Sequence, residues 1–218
     1  MKKIISVFLI LIFTLGTFIS CGDVKYDEQE VKTEAKRLIE QSIVLNDIYW
    51  GAGIPYLEDK NTSDGIYYKA QESYHYLLGF NTVDEMLSLT KKTFSEGYCS
   101  NIKATIFNSI QDGDNSLIPA RYYQKYSYDK NGKVIGNDCI MVNSEWDRIF
   151  YGEVEYDYDS IVVIGSEDET VYVKINATVK FEDYEPQTRE IRISLVEEKD
   201  GWKIDSPTYL NYDKTKIN

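Results

Sequence analysis

Val171-Tyr172-Val173-Lys174-Ile175-Asn176-Ala177-Thr178-Val179-Lys180-Phe181 alternates apolar and polar residues over its whole length. A period of two places Val171, Val173, Ile175, Ala177, Val179 and Phe181 on one face of a β-strand and the polar residues on the other. Ile191, Ile193 and Leu195 repeat the pattern, and Glu197 to Gly201 reads as a turn. Trp202-Lys203-Ile204 then begins a last short strand, which Asp205-Ser206-Pro207 ends. Strands that follow one another through turns form an antiparallel meander with one face on a core.

Upstream of this run, Arg121 to Tyr128 and Lys133 to Ile135 flank Asp129-Lys130-Asn131-Gly132. Asn-Gly supplies the positive φ angles that a hairpin turn needs. Before Pro119 the period is helical. Val31, Ala35, Leu38, Ser42, Leu45 and Tyr49 recur every three or four residues, with Gly51, Gly53 and Pro55 as stop signals. Glu58 to Gly65 reads as a polar loop, and Ile66 to Leu78 fits a strand or a helix. Thr82-Val83-Asp84-Glu85 is a capping box, followed by a stripe of Val83, Met86, Leu87, Thr90 and Phe94 and a stop at Gly97. A third helix is expected from about Ser100 to Gln111, with Ile102, Ile106, Phe107 and Ile110 inward. Helices first and a meander last predict an α+β fold, with N-terminal helices packed on a curved antiparallel sheet formed mainly by the C-terminal half.

Lys2 and Lys3 precede an apolar run that is too short to span a membrane and closes in Phe18-Ile19-Ser20-Cys21. Bulky residues, a small residue and a cysteine make the bacterial lipobox. The expectation is a signal peptide over 1–20, removed before a diacylglyceryl-modified Cys21. The lipid would hold the chain on the outer face of the cell membrane by burying its methylene groups. Residues 21–30 then read as lipidated cysteine and tether, and 31–218 as one domain. The tether, Gly22 to about Gln29, reaches about 28 Å when extended, which keeps the domain near the bilayer.

The 218 residues carry 24 Lys and Arg against 36 Asp and Glu, a net charge of −12, which removal of Lys2 and Lys3 makes more negative. That balance disfavours nucleic acid and anionic lipid, and suits a basic partner, cations or simple solubility. Cys99 and Cys139 remain for a disulfide or for two buried thiols. The single histidine, His75, shows no nucleophile elbow beside it, and no metal, phosphate or dinucleotide motif is present. Asp112-Gly113-Asp114 starts like a calcium loop, but Leu117 stands where that loop requires glycine. No catalytic residue, cofactor or metal ligand is therefore assigned.

In Glu153-Val154-Glu155-Tyr156-Asp157-Tyr158-Asp159 the acids fall at every second position. On a strand Glu153, Glu155, Asp157 and Asp159 share one face, spread over about 20 Å. Like charges in a row repel unless a cation meets them. The ladder is either a contact surface for a basic protein or a solvated face, and Glu167-Asp168-Glu169 adds charge at a neighbouring turn. A sugar or other small ligand is the competing expectation, with Tyr67, Tyr68, Tyr122, Tyr123 and Tyr126 as stacking residues or as packing on the sheet faces.

Tyr49-Trp50, Gly51 and Gly53, Tyr74-His75-Tyr76-Leu77, and Thr82 to Phe94 with Ser95 resemble the IseA family of DL-endopeptidase inhibitors, over about residues 35 to 110. The close, Asp200-Gly201-Trp202-Lys203-Ile204-Asp205-Ser206-Pro207-Thr208-Tyr209, is similar to the ends of nuclear transport factor 2-like and cystatin-like envelope domains, where the Trp and Ile face the core. The first resemblance implies a non-enzymatic inhibitor that binds the catalytic domain of a cell-wall hydrolase and limits autolysis. This chain departs from that family in its lipobox and its longer second half. No binding residue is carried over from the resemblance; the acidic ladder rests on charge alone.

Overall fold

The computed structural model describes residues 26–62, 65–111, 117–149 and 152–211. The leader, Cys21, most of the tether, Asp112-Gly113-Asp114 and the side chain of His75 lie outside the described residues. No described helix is long and apolar enough to cross a membrane.

Helix α1, Glu28–Trp50, starts two residues earlier than the expected tether allows, because Asp27 caps it by accepting the Glu30 amide at 2.8 Å. Its buried stripe includes Val31, Ala35, Leu38, Leu45 and Tyr49, the positions that the period picks out. Strands β1, Tyr56–Asn61, and β2, Tyr67–Ala70, follow, then helix α2, Glu72–Leu78. The loop expected from Glu58 to Gly65 is thus strand as far as Asn61. Its polar side chains hide it from a periodicity reading, and its pairing with β2 makes it a strand. The ambiguous segment 66–78 holds both a strand and a helix.

Helix α3, Val83–Thr93, is capped as expected by Thr82, whose hydroxyl accepts the Glu85 amide at 3.1 Å. The Glu85 carboxylate reaches back one residue further, to the Asn81 amide at 2.6 Å. Gly97 does not stop this helix. Phe94 leaves helical geometry, Ser95 caps a new helix, and Gly97 lies in the first turn of α4, Glu96–Ile106. The break comes from pairing across space. Phe94 bridges Ile204, and the Ser95 amide donates to the Ile204 carbonyl at 2.9 Å. Ile110, expected inward on that helix, instead begins a two-residue strand, β3 (Ile110–Gln111), which pairs with β4 (Leu117–Ile118).

The remaining strands are β5 (Tyr122–Tyr128), β6 (Val134–Asn143), β7 (Glu153–Glu167), β8 (Thr170–Lys180), β9 (Gln187–Glu198) and β10 (Gly201–Ile204). They do not form one sheet. One antiparallel sheet has the order β1-β2-β6-β5 and the other β10-β9-β8-β7, so the fold is α+β with its strands split into two four-stranded sheets. The hairpin turn falls where it is read, but of the Asn131-Gly132 pair only the glycine takes a positive φ. Gly132 has φ +78°, and Asp129 Oδ1 accepts the amides of Asn131 and Lys133. In β8 Val171, Val173, Ile175, Ala177 and Val179 are buried, as the alternation requires. Trp202 and Ile204 are buried too, and so is Lys203 between them, because α1 and α3 both pack on β10.

Helix α1 joins the two halves. Its inner side lies on β7 and β10, while its last carbonyls are met by residues beyond residue 120. The Arg121 guanidinium donates to Tyr49 O at 2.8 Å and Gly51 O at 2.9 Å, the Tyr122 hydroxyl to Ile48 O at 2.8 Å, and the Ile149 amide to Trp50 O at 2.8 Å. A helix ends with carbonyls that have no partner inside it, and their partial negative charge suits a buried guanidinium. Gly53, at φ +82°, completes the arrangement: a Cβ there would lie 2.2 Å from Arg121 Nη2.

Gly53→Ala is expected to lower stability by about 2–4 kcal/mol, through backbone strain plus displacement of the guanidinium. Gly79→Ala, at a similar φ but with open space around it, should lose only about 1 kcal/mol. Arg121→Met should cost about 2–5 kcal/mol, since it leaves buried carbonyls without donors. Chemical denaturation of the three variants checks the order; equal losses for Gly53→Ala and Gly79→Ala would remove the role given to the guanidinium.

Candidate functional site

Among the described residues, strand β7 is the edge of its sheet and pairs only with β8. Glu153, Glu155 and Asp157 stand opposite Lys180, Thr178 and Asn176 in regular register, and all three acids are exposed. The register then slips between Asp157 and Val162. Asp159 therefore sits in a bulge rather than in the ladder proper, although it is exposed like the others. Ser160 makes the bulge possible: its hydroxyl accepts the Asn176 amide at 2.8 Å and donates to Asp157 O at 2.6 Å, standing in for a main-chain ladder bond.

Lys180 of β8 forms an ion pair with Glu155, so part of the repulsion is relieved within the fold. An exposed pair of this kind contributes about 0–1 kcal/mol. Among the described residues, no other ion pair involves the ladder. Glu167-Asp168-Glu169 lies at the opposite end of β7, beside Glu197 and Glu198, and does not extend the ladder.

The other face of β7 is half-buried. The Tyr156 hydroxyl donates to Thr208 O at 2.7 Å, and Lys36 Nζ sits 5.3 Å above the Tyr158 ring. Thr208 in turn holds α1: its hydroxyl is 2.7 Å from Ser42 Oγ and accepts from Asn46 Nδ2 at 2.7 Å. Beside the start of β7 runs a groove of about 550 Å³, between that strand, Tyr209 and α1. Ile43 and Val44, neighbours on its α1 wall, are 41% and 37% exposed, so the groove offers apolar surface to solvent. Asn46 also lines it, is 2% exposed, and has no donor to its Oδ1 among the described residues.

A second cavity, about 690 Å³, lies between α3, α4 and the β9–β10 turn, with Lys91, Glu96, Cys99, Lys103 and Glu198 among its walls. Burial pushes the Cys99 thiol up to about 11, with Lys91 opposing weakly, so it stays protonated and a poor nucleophile at neutral pH. Cys99 and Cys139 are both free, buried thiols on separate elements, which settles the choice left open by their spacing.

The five candidate tyrosines do not make one platform. Tyr67 and Tyr123 meet edge to face at 4.8 Å, whereas Tyr68 and Tyr122, one register position along, lie on the other face of the sheet. Tyr122 is fully buried and engaged at the end of α1. Among the described residues, no three His, Cys, Asp or Glu side chains converge as a metal site would require. The ladder was legible from its period; the groove was not, because it is made by residues over a hundred positions apart. No family model matches the chain, nor does any curated protein or solved structure.

Alkaline pH should loosen the packing behind the ladder. Burial raises Tyr156, whose ring lies under it, and raises Tyr49, Tyr98 and Cys99 likewise. Groups held above their unfolded values add stability that is complete below about pH 9 and is lost as pH climbs through the raised values. The urea midpoint should therefore be flat from pH 7 to 8.5 and fall steadily above pH 9; a midpoint that rises there would contradict the assigned burial.

Proposed function

We propose that this chain is a lipoprotein held by Cys21 on the outer face of the cell membrane, and that its domain is a non-enzymatic binding module for a basic protein. The partner is a peptidoglycan DL-endopeptidase whose action it limits. The observation that carries the reading is the row of exposed acids on the edge strand β7, in which, among the described residues, Glu155 alone has an ion-pair partner, Lys180. Like charges held in register weaken a fold, so a cationic surface brought against them gains attraction and relieves repulsion together.

The lipobox supports the location and the IseA-like motifs support the partner class. Several of those motif residues have structural work: Tyr49 and Trp50 are buried, and Gly53 makes room for Arg121. They speak for a shared scaffold, and the contact surface lies elsewhere. The competing reading, a domain that binds a muropeptide or another small ligand, draws on the cavity of about 690 Å³ and its mixed charges. The scatter of the tyrosines over two sheet faces weighs against it.

The test adds the purified chain to a DL-endopeptidase digesting peptidoglycan from the same organism. Inhibition that fades with added salt is expected. Glu155→Lys and Asp157→Lys should each weaken it by about tenfold or more while leaving the fold intact. Charge-reversed chains that inhibit fully would remove the ladder from the interface. No inhibition and no binding, with fluorescence quenching by muropeptides, would favour the small-ligand reading.

A further inference from the structure

The two edges of the β10-β9-β8-β7 sheet are treated differently. At β10 the edge is closed by the α3–α4 junction, where Phe94 bridges Ile204 and Ser95 donates to it. At β7, among the described residues, no main-chain group bonds to anything outside the sheet. An open edge is a template for another strand, and proteins that do not use it shorten, cover or bulge it. Here the bulge comes only after Asp157, so the stretch before it is regular and available.

What lies beside that stretch has a definite chemistry. On one side of the edge stand Glu153, Glu155 and Asp157. On the other is the groove with exposed Ile43 and Val44, half-buried Val154 and Tyr156, and the Oδ1 of Asn46, which has no partner among the described residues; Asp47, Glu153 and Glu155 also line it. A strand laid along β7 would send alternate side chains to these two sides. The positions on the acidic side favour Lys or Arg, and those on the groove side favour apolar residues. A second copy of this chain fits poorly, since its own β7 would set acids against acids.

Resting on the protein-binding reading above, we propose that the partner is held by strand addition. An extended segment with basic and apolar residues in alternation pairs with β7 between Glu153 and Asp157. Its cationic side chains lie along the ladder and its apolar ones lie in the groove against Ile43 and Val44. Main-chain bonds supply affinity there, and the two side-chain rows supply selectivity.

The test uses the full chain and capped peptides. The probe is Lys-Val-Lys-Val-Lys-Val-Lys, compared with a block peptide of the same composition and with two versions methylated at alternate backbone nitrogens in the two possible registers. Calorimetry should show the alternating peptide binding at least about tenfold more tightly than the block peptide. An added strand uses every second amide, so one methylated register should lose about tenfold or more and the other should keep its affinity. Among the amides from Val154 to Asp157, those that point away from β8 should exchange more slowly on binding, while those already bonded to β8 should change little, and Ile43→Asp should weaken binding without altering the fold.

Equal binding by both methylated peptides, or by the block peptide, would overturn the strand addition. If Glu155→Lys also abolishes binding in that case, the charge reading survives alone. If methylation matters and Glu155→Lys does not, strand addition stands and the charge reading falls. The chain carries its own alternating stretch, Lys214-Thr215-Lys216-Ile217, beyond the described residues. Slow exchange without peptide at those amides from Val154 to Asp157 that point away from β8, abolished by Lys214→Glu with Lys216→Glu, would make that segment the occupant and overturn a partner strand.

Discussion

The carbonyl end of α1 governs how the rest of the molecule is assembled. Four successive residues, Ile48 to Gly51, present carbonyls that are each met by a donor from a distant part of the chain. Arg121 is 3% exposed, and a buried cation is tolerable only where its donors are used and negative charge surrounds it. The helix terminus supplies both. In satisfying the helix, Arg121 and Tyr122 anchor the first strand of the β5–β6 hairpin, and Ile149 fixes the approach to β7. One sheet is thereby hung on the end of the helix while the other lies along its side.

That arrangement places the candidate surface. Because Ile149 is tied to Trp50, the start of β7 is delivered next to the last turns of α1, and the groove between them follows. The tail adds a second tie. Thr208 is clasped by Ser42 and Asn46, and its carbonyl takes the Tyr156 hydroxyl, so the inner face of β7 cannot turn outward. With Tyr156 and Tyr158 held inward, alternation forces Glu153, Glu155 and Asp157 out. The acids are exposed because their neighbours have somewhere to be buried.

Much of this was readable from residue order. The long helix, the capping of α3, the Asn-Gly hairpin and the meander from β8 to β10 all follow from local periods and turn chemistry, which need no knowledge of distant residues. The errors share a cause. The polar strand β1 exists because β2 pairs with it. The break between α3 and α4 falls at Phe94 instead of Gly97 because Phe94 and Ser95 join β10. In both places a contact made across the fold outweighs a local preference of about 1 kcal/mol or less per residue.

The α+β composition, the acid alternation of β7 and the burial of Trp202 and Ile204 were already written in residue order, since each depends on the spacing of neighbours along one element. Contacts across the fold decide that the strands form two sheets, that among the described residues β7 is an open edge while β10 is closed, and that Asp159 falls in a bulge. They also decide that Ile43 and Val44 of α1 face the start of β7. The physical reason is that main-chain pairing and burial are shared between residues far apart, so which edge is left free is a property of the whole assembly of donors and acceptors rather than of any one stretch.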